Sequence, residues 1–300
     1  MKILITDGMD KSAMAQLAAL GHELTEHFFP SEELGAALRE FDAVVIRSAT
    51  KIRKQHLQIA QGGRLKVIIR AGVGVDNIDV ADAEAMGIAV RNTPCASTNA
   101  VAELAVALMF SCARYVSAAN HTMKEGIWEK KAFSKGFELT GKTLGVIGFG
   151  RIGMRVAEIA EGIGMNIIAF DMRGSVPNNL RTVRFASLEE VLANADVITV
   201  HVPALDKPII RSETIAQMKD GVVIVNTSRG ANIDEDALLE ALNSGKVRAA
   251  GLDVWAEEPT MNEALSRHPA VSALPHIGAS TQEAQKRIGL EIIEIVKDFS

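Results

Sequence analysis

Cysteine is scarce in this chain of 300 residues, which contains only Cys95 and Cys112. Two cysteines allow at most one disulfide and do not form a ligand set of the kind that holds a structural metal ion. Small secreted scaffolds stapled by disulfides are thereby excluded. We expect two reduced thiols and no metal site.

A long uninterrupted apolar run is also missing. The most apolar long stretch is Ala100–Ala113, and Glu103 interrupts it, whereas a membrane-spanning helix needs about 20 apolar residues. Met1–Gly8 contains too short an apolar run for a signal peptide and shows no cleavage pattern. We therefore expect a cytoplasmic protein without a membrane partner.

The chain has no excess of basic charge. Lysine and arginine number 32 against 37 aspartates and glutamates, which gives a net charge of −5 and a pI of about 5.9. A protein that binds nucleic acid usually presents a basic face, so we expect no nucleic-acid partner. A local basic pocket for a small anionic substrate remains compatible with this composition.

Short β-branched runs alternate regularly with helical patterns along most of the chain. Nearly all-apolar strands separated by helices are typical of a parallel sheet that is covered on both faces. Because the alternation occurs twice, we predict an α/β fold with two doubly wound parallel-sheet domains. These domains would be Rossmann-like or flavodoxin-like, with a cleft between them.

Two features divide the chain into domains. Thr93-Pro94 breaks the first alternation just before a long apolar helix, and the last helical pattern, Gln282–Phe299, can return the chain to the first domain. We predict a discontinuous first domain made of residues 1–94 and 282–300. The second domain would comprise residues 95–281.

A glycine motif of the form G-x-G-x-x-G, made by Gly148, Gly150 and Gly153, follows a strand-like run and opens a helical pattern. In that context the glycines permit a tight turn, the approach of a pyrophosphate and close helix–strand packing. Asp171 ends the next strand, at the spacing expected for a carboxylate that binds the adenosine ribose. We predict NAD as the cofactor, although Arg173 could serve the 2′-phosphate of NADP, and the alternative is a glycine turn without a ligand.

Polar groups follow three later strand-like runs of the second domain: Arg229, a group of carboxylates at 253–258, and His276. Arginine grips a carboxylate through two parallel hydrogen bonds, histidine exchanges a proton near neutral pH, and a carboxylate orients the imidazole. Each residue alone has a structural alternative, such as a surface ion pair or a satisfied loop. Together, beside a nucleotide site, they predict the oxidation of a 2-hydroxy acid, with the first domain binding the substrate.

Four separated motifs resemble those of the D-isomer-specific 2-hydroxyacid dehydrogenases. They are GFGRIG (148–153), NTSRG (226–230), LDVWAEEP (252–259) and PHIGAST (275–281). The resemblance runs from about Ala43 to the end of the chain. Within the family it is greatest to the D-3-phosphoglycerate dehydrogenases, in a short form without the C-terminal regulatory domain.

The resemblance implies a role for individual residues. Arg229, Glu258 and His276 match the catalytic arginine, glutamate and acid–base histidine, and Asp253 matches the residue that holds the nicotinamide amide. The full set of implied cofactor contacts is Val73, Gly148, Gly150, Arg151, Ile152, Gly153, Asp171, Val202, Pro203, Thr227, Ser228, Asp253 and Gly278.

The first domain carries two arginines at strand ends. Arg47 and Arg70 each follow a buried strand-like run, close to the backbone N–H groups of Gly72–Gly74. Guanidinium and N–H groups together suit a phosphate, although salt bridges at a domain edge are an alternative. The resemblance implies the same role and adds a lysine from a neighbouring subunit. The implied substrate contacts are Arg47, Ser48, Arg70, Gly72, Val73, Gly74 and Lys130.

The expected activity is the NAD-dependent oxidation of D-3-phosphoglycerate to 3-phosphohydroxypyruvate, which the resemblance assigns to serine biosynthesis. Relatives that use glyoxylate, hydroxypyruvate or D-lactate share the catalytic residues and remain an alternative. An NAD-sensing corepressor, which would present a peptide-binding cleft, is an alternative from another class.

The resemblance also implies a homodimer or a higher homo-oligomer. It would be built on the helix at Ser97–Ala113 and on an arm at His121–Phe137, which could otherwise be a plain surface loop. Because the chain stops at the closing helix, we do not expect serine to inhibit it through a regulatory domain.

Overall fold

The computed structural model describes residues 1–181 and 183–300 and divides them into two compact units. Unit 1 comprises Met1–Ser97 and Ala279–Ser300, and unit 2 comprises Thr98–Gly278. Each unit is built on a parallel sheet with helices on both faces. The predicted class, two parallel-sheet α/β domains, is confirmed.

The limits of the units differ slightly from the predicted 94/95 and 281/282. Ala96 is buried in the core of unit 1, and its carbonyl accepts a hydrogen bond from Arg287 Nε at 2.8 Å. At the other limit, the Ala279 carbonyl accepts one from Gln285 Nε2 at 2.8 Å. The helix that closes the chain therefore holds both short segments in unit 1.

Strands and helices follow one another in the predicted alternation. The strands are β1 (Lys2–Ile5), β2 (Glu23–Glu26), β3 (Ala43–Ile46), β4 (Val67–Arg70), β5 (Ala89–Asn92), β6 (Thr143–Ile147), β7 (Asn166–Phe170), β8 (Arg184–Phe185), β9 (Val197–Val200), β10 (Val222–Asn226), β11 (Val247–Leu252) and β12 (Val271–Ala273). The helices are α1 (Lys11–Ala19), α2 (Ser31–Ala37), α3 (Lys54–Ala60), α4 (Val80–Ala85), α5 (Thr98–Arg114), α6 (Val116–Lys124), α7 (Arg151–Gly162), α8 (Leu188–Asn194), α9 (Ser212–Ala216), α10 (Glu235–Ser244), α11 (Glu263–Ser266) and α12 (Gln282–Asp298). Short 3₁₀ turns occupy Leu38–Glu40 and Gly230–Asn232.

Unit 1, all of whose residues are described, has a five-stranded sheet in the order β2-β1-β3-β4-β5. This is the flavodoxin-like order, in which ligands bind outside the carboxyl ends of the strands. The central strand β3 is buried at every position because helices cover both of its faces. Helix α12 packs its apolar stripe, which includes Ile288 and Ile292, into the core that α1 covers.

In unit 2, the described residues form a seven-stranded sheet in the order β12-β11-β10-β9-β6-β7-β8. Strands β6 and β9 lie side by side, so the chain winds away from them in both directions. This is the switch point at which a doubly wound sheet binds a dinucleotide. The glycine-rich turn that follows β6 lies at that point.

Helix α5 is the apolar helix that the sequence predicts near Ser97–Ala113. Many of its residues, including Ala102, Ala105 and Met109, are buried in the core of unit 2. In the described part of the chain, no single helix is long and apolar enough to cross a membrane. Helices α5 and α6, bent by 69° at their junction, meet that criterion only when taken together.

Strand β2 and helices α3 and α6 were not predicted. Strand β2, with the sequence ELTE, lies at the edge of its sheet and has no buried residue. Helix α6 also has no buried residue. Neither segment carries the periodic apolar pattern by which strands and helices are recognised in a sequence.

Close packing of α12 on α1 generates a test of the unit 1 core. A Cβ atom added at Gly289 would lie 2.5 Å from the Cβ of Ala13, so we expect Gly289→Ala to lower stability by about 1–3 kcal/mol. At Gly162 on α7 a Cβ would meet no atom within 4 Å. The same substitution there should be neutral or stabilising by up to about 1 kcal/mol. Urea unfolding of both variants is the measurement, and equal midpoints would contradict the close crossing.

Candidate active site

The glycine-rich turn between β6 and α7 is shaped by three glycines with different surroundings. Gly148 has a φ of +92°, and a Cβ there would lie 2.5 Å from the carbonyl oxygen of His201. A Cβ on Gly153 would collide with the carbonyl oxygen of Gly148. Gly150, the N-cap of α7, has no atom within 4 Å of its Cβ position. Two of the glycines therefore close the turn, and the third leaves the helix start open to a ligand.

Asp171 follows β7 and faces this turn. Its carboxylate accepts hydrogen bonds from the Phe149 N–H at 2.9 Å and from the Arg173 N–H at 3.0 Å. The guanidinium of Arg173 adds two more, at 2.8 and 2.9 Å. The hydrogen bonds from Arg173 hold the pKa of Asp171 well below its usual range, against a raising effect of burial. Asp171 is therefore a firmly ionised carboxylate.

A cleft of about 290 Å³ joins the glycine turn to Asp171. It is lined by Gly148, Gly150, Phe170, Asp171, Met172, Arg173, His201, Val202, Pro203, Leu205 and Ile209. The first N–H groups of a helix have no partner within the helix, and they attract anions. An open helix start, a ribose-binding carboxylate and a mostly apolar cleft fit a dinucleotide, as the motif predicts.

His276 and Glu258 form a close pair at the other end of the same sheet edge. His276 Nδ1 lies 2.7 Å from Glu258 Oε2, and each side chain is about one-third exposed. The other carboxylate oxygen, Glu258 Oε1, accepts a hydrogen bond from the Trp255 N–H at 3.2 Å. Burial raises the pKa of Glu258, but its bond to His276, the backbone N–H and the Arg229 charge lower it further than burial raises it. The pair therefore contains an ionised carboxylate.

Asp253 holds the loop that carries His276. Its carboxylate is buried and accepts hydrogen bonds from the N–H groups of Ile277 and Gly278, both at 2.8 Å. His276 itself has a φ of +56°, a left-handed conformation that is uncommon for residues other than glycine. Burial raises the pKa of Asp253, and the two backbone bonds only partly offset it. Two hydrogen bonds directly after the strained residue therefore fix the histidine.

Arg229 extends from a loop that is braced by its own neighbours. Asn226 Oδ1 accepts hydrogen bonds from the N–H of Ser228 at 2.9 Å and from its hydroxyl at 2.7 Å. Asn226 Nδ2 donates to the Arg229 carbonyl at 2.8 Å. A Cβ on Gly230 would overlap the Trp255 backbone. The Arg229 loop thus lies directly against the loop that ends in Glu258.

Comparison with known proteins accounts for this arrangement. The model of the NAD binding domain of the D-isomer specific 2-hydroxyacid dehydrogenases matches residues 106–278. The chain belongs to this family. A hydroxypyruvate reductase of Thermotoga maritima is 48% identical to it, over 98% of this chain and 96% of the relative.

Two further relatives show the range of the family. A D-3-phosphoglycerate dehydrogenase of Methanocaldococcus jannaschii is 45% identical over 99% of this chain, which spans only 57% of that relative's length. The crystal structure of a glyoxylate reductase from Paecilomyes thermophila superimposes with a TM-score of 0.88 at 34% identity, covering 99% of this chain and 94% of that one. The family match makes the chain an NAD-binding 2-hydroxyacid dehydrogenase.

Sequence reasoning about this dehydrogenase missed Asn232. The side chain is fully buried and donates through Nδ2 to the Val202 carbonyl at 3.1 Å and to the Ser228 hydroxyl at 3.2 Å. Its Oδ1 accepts from the Leu205 N–H at 3.2 Å. Asn232 thereby joins the cofactor cleft to the Arg229 loop. Only a polar residue beside the predicted arginine signalled it in the sequence.

Glu235 was missed in the same way. It accepts hydrogen bonds from the Ala256 N–H and from Asn262 Nδ2, both at 2.8 Å. Both donors belong to the segment that carries Glu258. An acidic residue in the first turn of α10 looks like an ordinary helix-dipole partner, which concealed this bracing role.

Other predicted cofactor residues lie on these same loops. Thr227 and Ser228 are buried after β10, Gly278 is buried after His276, and Arg151 and Ile152 begin α7. Val73 lies in unit 1, with its side chain exposed and its carbonyl accepting from Asn92 Nδ2 at 2.6 Å. Their contacts with NAD remain predictions.

The predicted phosphate residues of unit 1 differ in their surroundings. The Arg47 N–H donates to Asp7 Oδ2 at 2.7 Å, and its side chain lines a cavity of about 430 Å³. Arg70 lays its guanidinium against Gly72 and donates to the Ala71 carbonyl at 3.1 Å. The other residues predicted to contact the substrate, Ser48, Gly74 and Lys130, are exposed or half-buried.

Two further expectations concern metals and thiols. In residues 1–181 and 183–300, no group of three or more histidine, cysteine, aspartate or glutamate side chains is placed to hold a metal ion. Cys95 is exposed and Cys112 is buried, and both are free thiols. Burial raises the pKa of Cys112 to about 12, so this thiol is unreactive.

His201, in the cofactor cleft, generates a test of pH dependence. Its Nε2 lies 2.8 Å from Thr199 Oγ1, Nδ1 is buried without a partner among the described residues, and burial lowers its pKa to about 3. Between that value and the unfolded value of about 6.5, the unfolded state binds more protons, so stability falls as the pH falls.

We expect His201→Gln to lose less stability than the parent chain between pH 7.5 and pH 5, since the variant has no such group to protonate on unfolding. Melting temperatures at the two pH values measure the effect. The same substitution at the exposed His27 is the control and should leave the pH dependence unchanged. Identical pH dependence in His201→Gln and the parent would contradict a neutral buried histidine.

Proposed function

We propose that this dehydrogenase oxidises D-3-phosphoglycerate to 3-phosphohydroxypyruvate, the step that leads to serine biosynthesis, in the cytoplasm. The observation that carries the choice of substrate is the position of Arg47 in unit 1. Its side chain lines a cavity and forms no ion pair with any carboxylate of residues 1–181 and 183–300. The salt-bridge alternative for Arg47 therefore has no support, and a ligand phosphate is the partner that a half-buried guanidinium lacks.

The surroundings of Arg47 suit a phosphate dianion. Lys286 lines the same cavity, and the amide of Gln285 and the hydroxyl of Ser280 supply neutral donors. Thr281 caps the start of the 17-residue helix α12 at the cavity wall. Asp10 also lines the cavity, but its carboxylate is bonded to the N–H groups of Ser12 and Ala13. The cavity therefore has two cationic groups and one engaged anion.

Unit 2 supplies the residues for the chemistry. The open helix start at Gly150 and the carboxylate of Asp171 would hold NAD, which when bound supplies the hydride acceptor. Because His276 Nδ1 faces Glu258, the Nε2 atom is left to remove the proton of the substrate hydroxyl. Arg229 would bind the substrate carboxylate and stabilise negative charge that develops on the C2 oxygen.

Glu258 and Asp253 prepare His276 for this proton transfer in different ways. The ionised Glu258 stabilises the imidazolium that forms when the proton arrives, as in other His–carboxylate pairs. Asp253 holds the backbone on the C-terminal side of His276, so the ring does not need to find its position during the reaction. A preorganised acid–base group of this kind loses little entropy on reaching the transition state.

His276→Asn tests the acid–base role. The amide keeps a hydrogen-bonding side chain but cannot take a proton at neutral pH, so we expect kcat to fall by a factor of about 10² to 10⁴. The Kd of NAD, measured by calorimetry, should change less than about threefold, because the nucleotide groups lie on other loops. Turnover equal to that of the parent chain would remove His276 from the mechanism.

Reduction of hydroxypyruvate is a second candidate, favoured by one observation. The relative named hydroxypyruvate reductase is 48% identical, and this chain spans 96% of its length. That substrate has no phosphate, so it would need Arg229, Glu258 and His276 but not the Arg47 cavity. Steady-state rates with 3-phosphohydroxypyruvate, hydroxypyruvate, glyoxylate and pyruvate separate the two candidates.

Arg47→Leu sharpens this comparison. We expect kcat/KM for 3-phosphohydroxypyruvate to fall by a factor of about 10 to 100, since a charge-assisted bond to phosphate is worth about 1.5–3 kcal/mol. The value for hydroxypyruvate should change less than about threefold. Arg267→Leu, which alters an exposed arginine of unit 2, serves as the control. Equal losses for both acids in Arg47→Leu would reject phosphate recognition.

We also propose that the chain forms a homodimer through the α5–α6 region of unit 2. Large apolar side chains are exposed there: Phe110, Val116, Met123, Ile127 and Trp128. Trp128 is 77% exposed, which is unusual for so large a side chain. An apolar surface of this kind typically marks an interface. Lys130, on the same segment, would contribute to the partner's phosphate site.

Sedimentation of Trp128→Ser tests the proposed interface. The substitution removes the most exposed aromatic group without disturbing a core, so we expect a shift from dimer toward monomer at micromolar concentration. A parent chain that sediments as a monomer would reject the proposal outright. So would a dimer that the variant leaves unchanged in affinity.

A further inference from the structure

The ribose-binding carboxylate of this dehydrogenase is already fully engaged. Asp171 accepts four hydrogen bonds, two from backbone N–H groups and two from the guanidinium of Arg173. Arg173 also donates to the Phe149 carbonyl at 3.3 Å. The guanidinium therefore covers the position at which a ribose hydroxyl would have to bind the carboxylate.

The charge at this end of the cleft differs from that of a lone aspartate. A lone carboxylate binds the ribose diol and repels the 2′-phosphate that distinguishes NADP from NAD. Among the described residues that line the cleft, Asp171 and Arg173 are the ones charged at neutral pH, and they cancel. The cleft therefore lacks the net negative charge that would exclude a 2′-phosphate.

Arg173 is free to change its partner. Its side chain is 64% exposed, whereas that of Asp171 is only 10% exposed. The neighbouring Met172 is 88% exposed, so no packed side chain blocks a rotation of the guanidinium. Exchange of a carboxylate for a phosphate preserves two parallel charge-assisted hydrogen bonds, so it costs little.

Asp171, by contrast, stays in place when the guanidinium leaves. The N–H groups of Phe149 and Arg173 hold one carboxylate oxygen each. The lone pairs released by the guanidinium then point to the ligand and can accept from a ribose diol. One pair of side chains thus offers a carboxylate to NAD and a guanidinium to NADP.

We propose that Arg173 gives this dehydrogenase a second coenzyme, so that it binds NADP(H) as well as NAD(H). Arg173 is then a specificity-determining residue for the coenzyme. The inference depends on the nucleotide site alone and not on the identity of the 2-hydroxy acid, so it stands or falls separately from the proposed substrate.

Calorimetric titration with ADP-ribose and with its 2′-phosphorylated form tests the proposal, because neither ligand carries a nicotinamide and no turnover is needed. For the parent chain we expect the two Kd values to differ by less than about 100-fold. In Arg173→Ala, the ratio should move against the phosphorylated ligand by at least about tenfold, the loss of one charge-assisted interaction. Binding of ADP-ribose should stay within about threefold or improve.

Two matched variants separate charge from structure. Arg173→Lys keeps a cation and should retain binding of the phosphorylated ligand within about tenfold of the parent. Arg184→Ala removes an arginine that pairs with Glu190 outside the cleft and should change neither Kd. A parent ratio above about 100-fold would overturn the proposal, as would a ratio that Arg173→Ala leaves unchanged.

Discussion

The 2.7 Å contact between His276 Nδ1 and Glu258 Oε2 is the interaction on which the chemistry of unit 2 depends. It determines which ring nitrogen faces the substrate, and it places an ionised carboxylate behind the proton acceptor. Neither partner is held by its own packing, since each side chain is about one-third exposed. Their geometry comes instead from backbone groups: the Trp255 N–H on Glu258, and the Ile277 and Gly278 N–H groups on Asp253. A reactive pair thus stays accessible while buried neighbours hold it.

The same loops connect the cofactor to the substrate arginine. Asn232 bonds the Val202 carbonyl of the cleft and the Ser228 hydroxyl of the Arg229 loop, and it is fully buried. Loss of a buried bonded amide typically leaves its partners unsatisfied at a cost of about 1–3 kcal/mol each. Movement of one loop therefore has to be matched by the other. The cofactor cleft and the carboxylate grip behave as one preorganised unit, in the sense that catalysis requires.

Sequence patterns predicted those parts of the dehydrogenase whose cause is local. The spacing of Gly148, Gly150 and Gly153 fixes a turn after β6, and each glycine has a backbone reason that can be stated in advance. The edge strand β2 escaped because its residues face no core. The Asp253 bonds to the His276 loop and the Asn232 bridge escaped for another reason. Both join segments that are distant in sequence, and such pairing becomes visible only when the sheet brings its strand ends together.

Specificity in this chain rests on side chains that the fold does not need. Arg47 in unit 1 and Arg173 in unit 2 both follow strand ends, and both are partly or largely exposed. Neither contributes to a core, so each can be exchanged without a change in the sheets that carry Glu258 and His276. This separation explains how relatives named for hydroxypyruvate, phosphoglycerate and glyoxylate share one architecture with this chain. Substrate and coenzyme selection then become problems of surface charge at two strand ends, while the proton transfer between them stays constant.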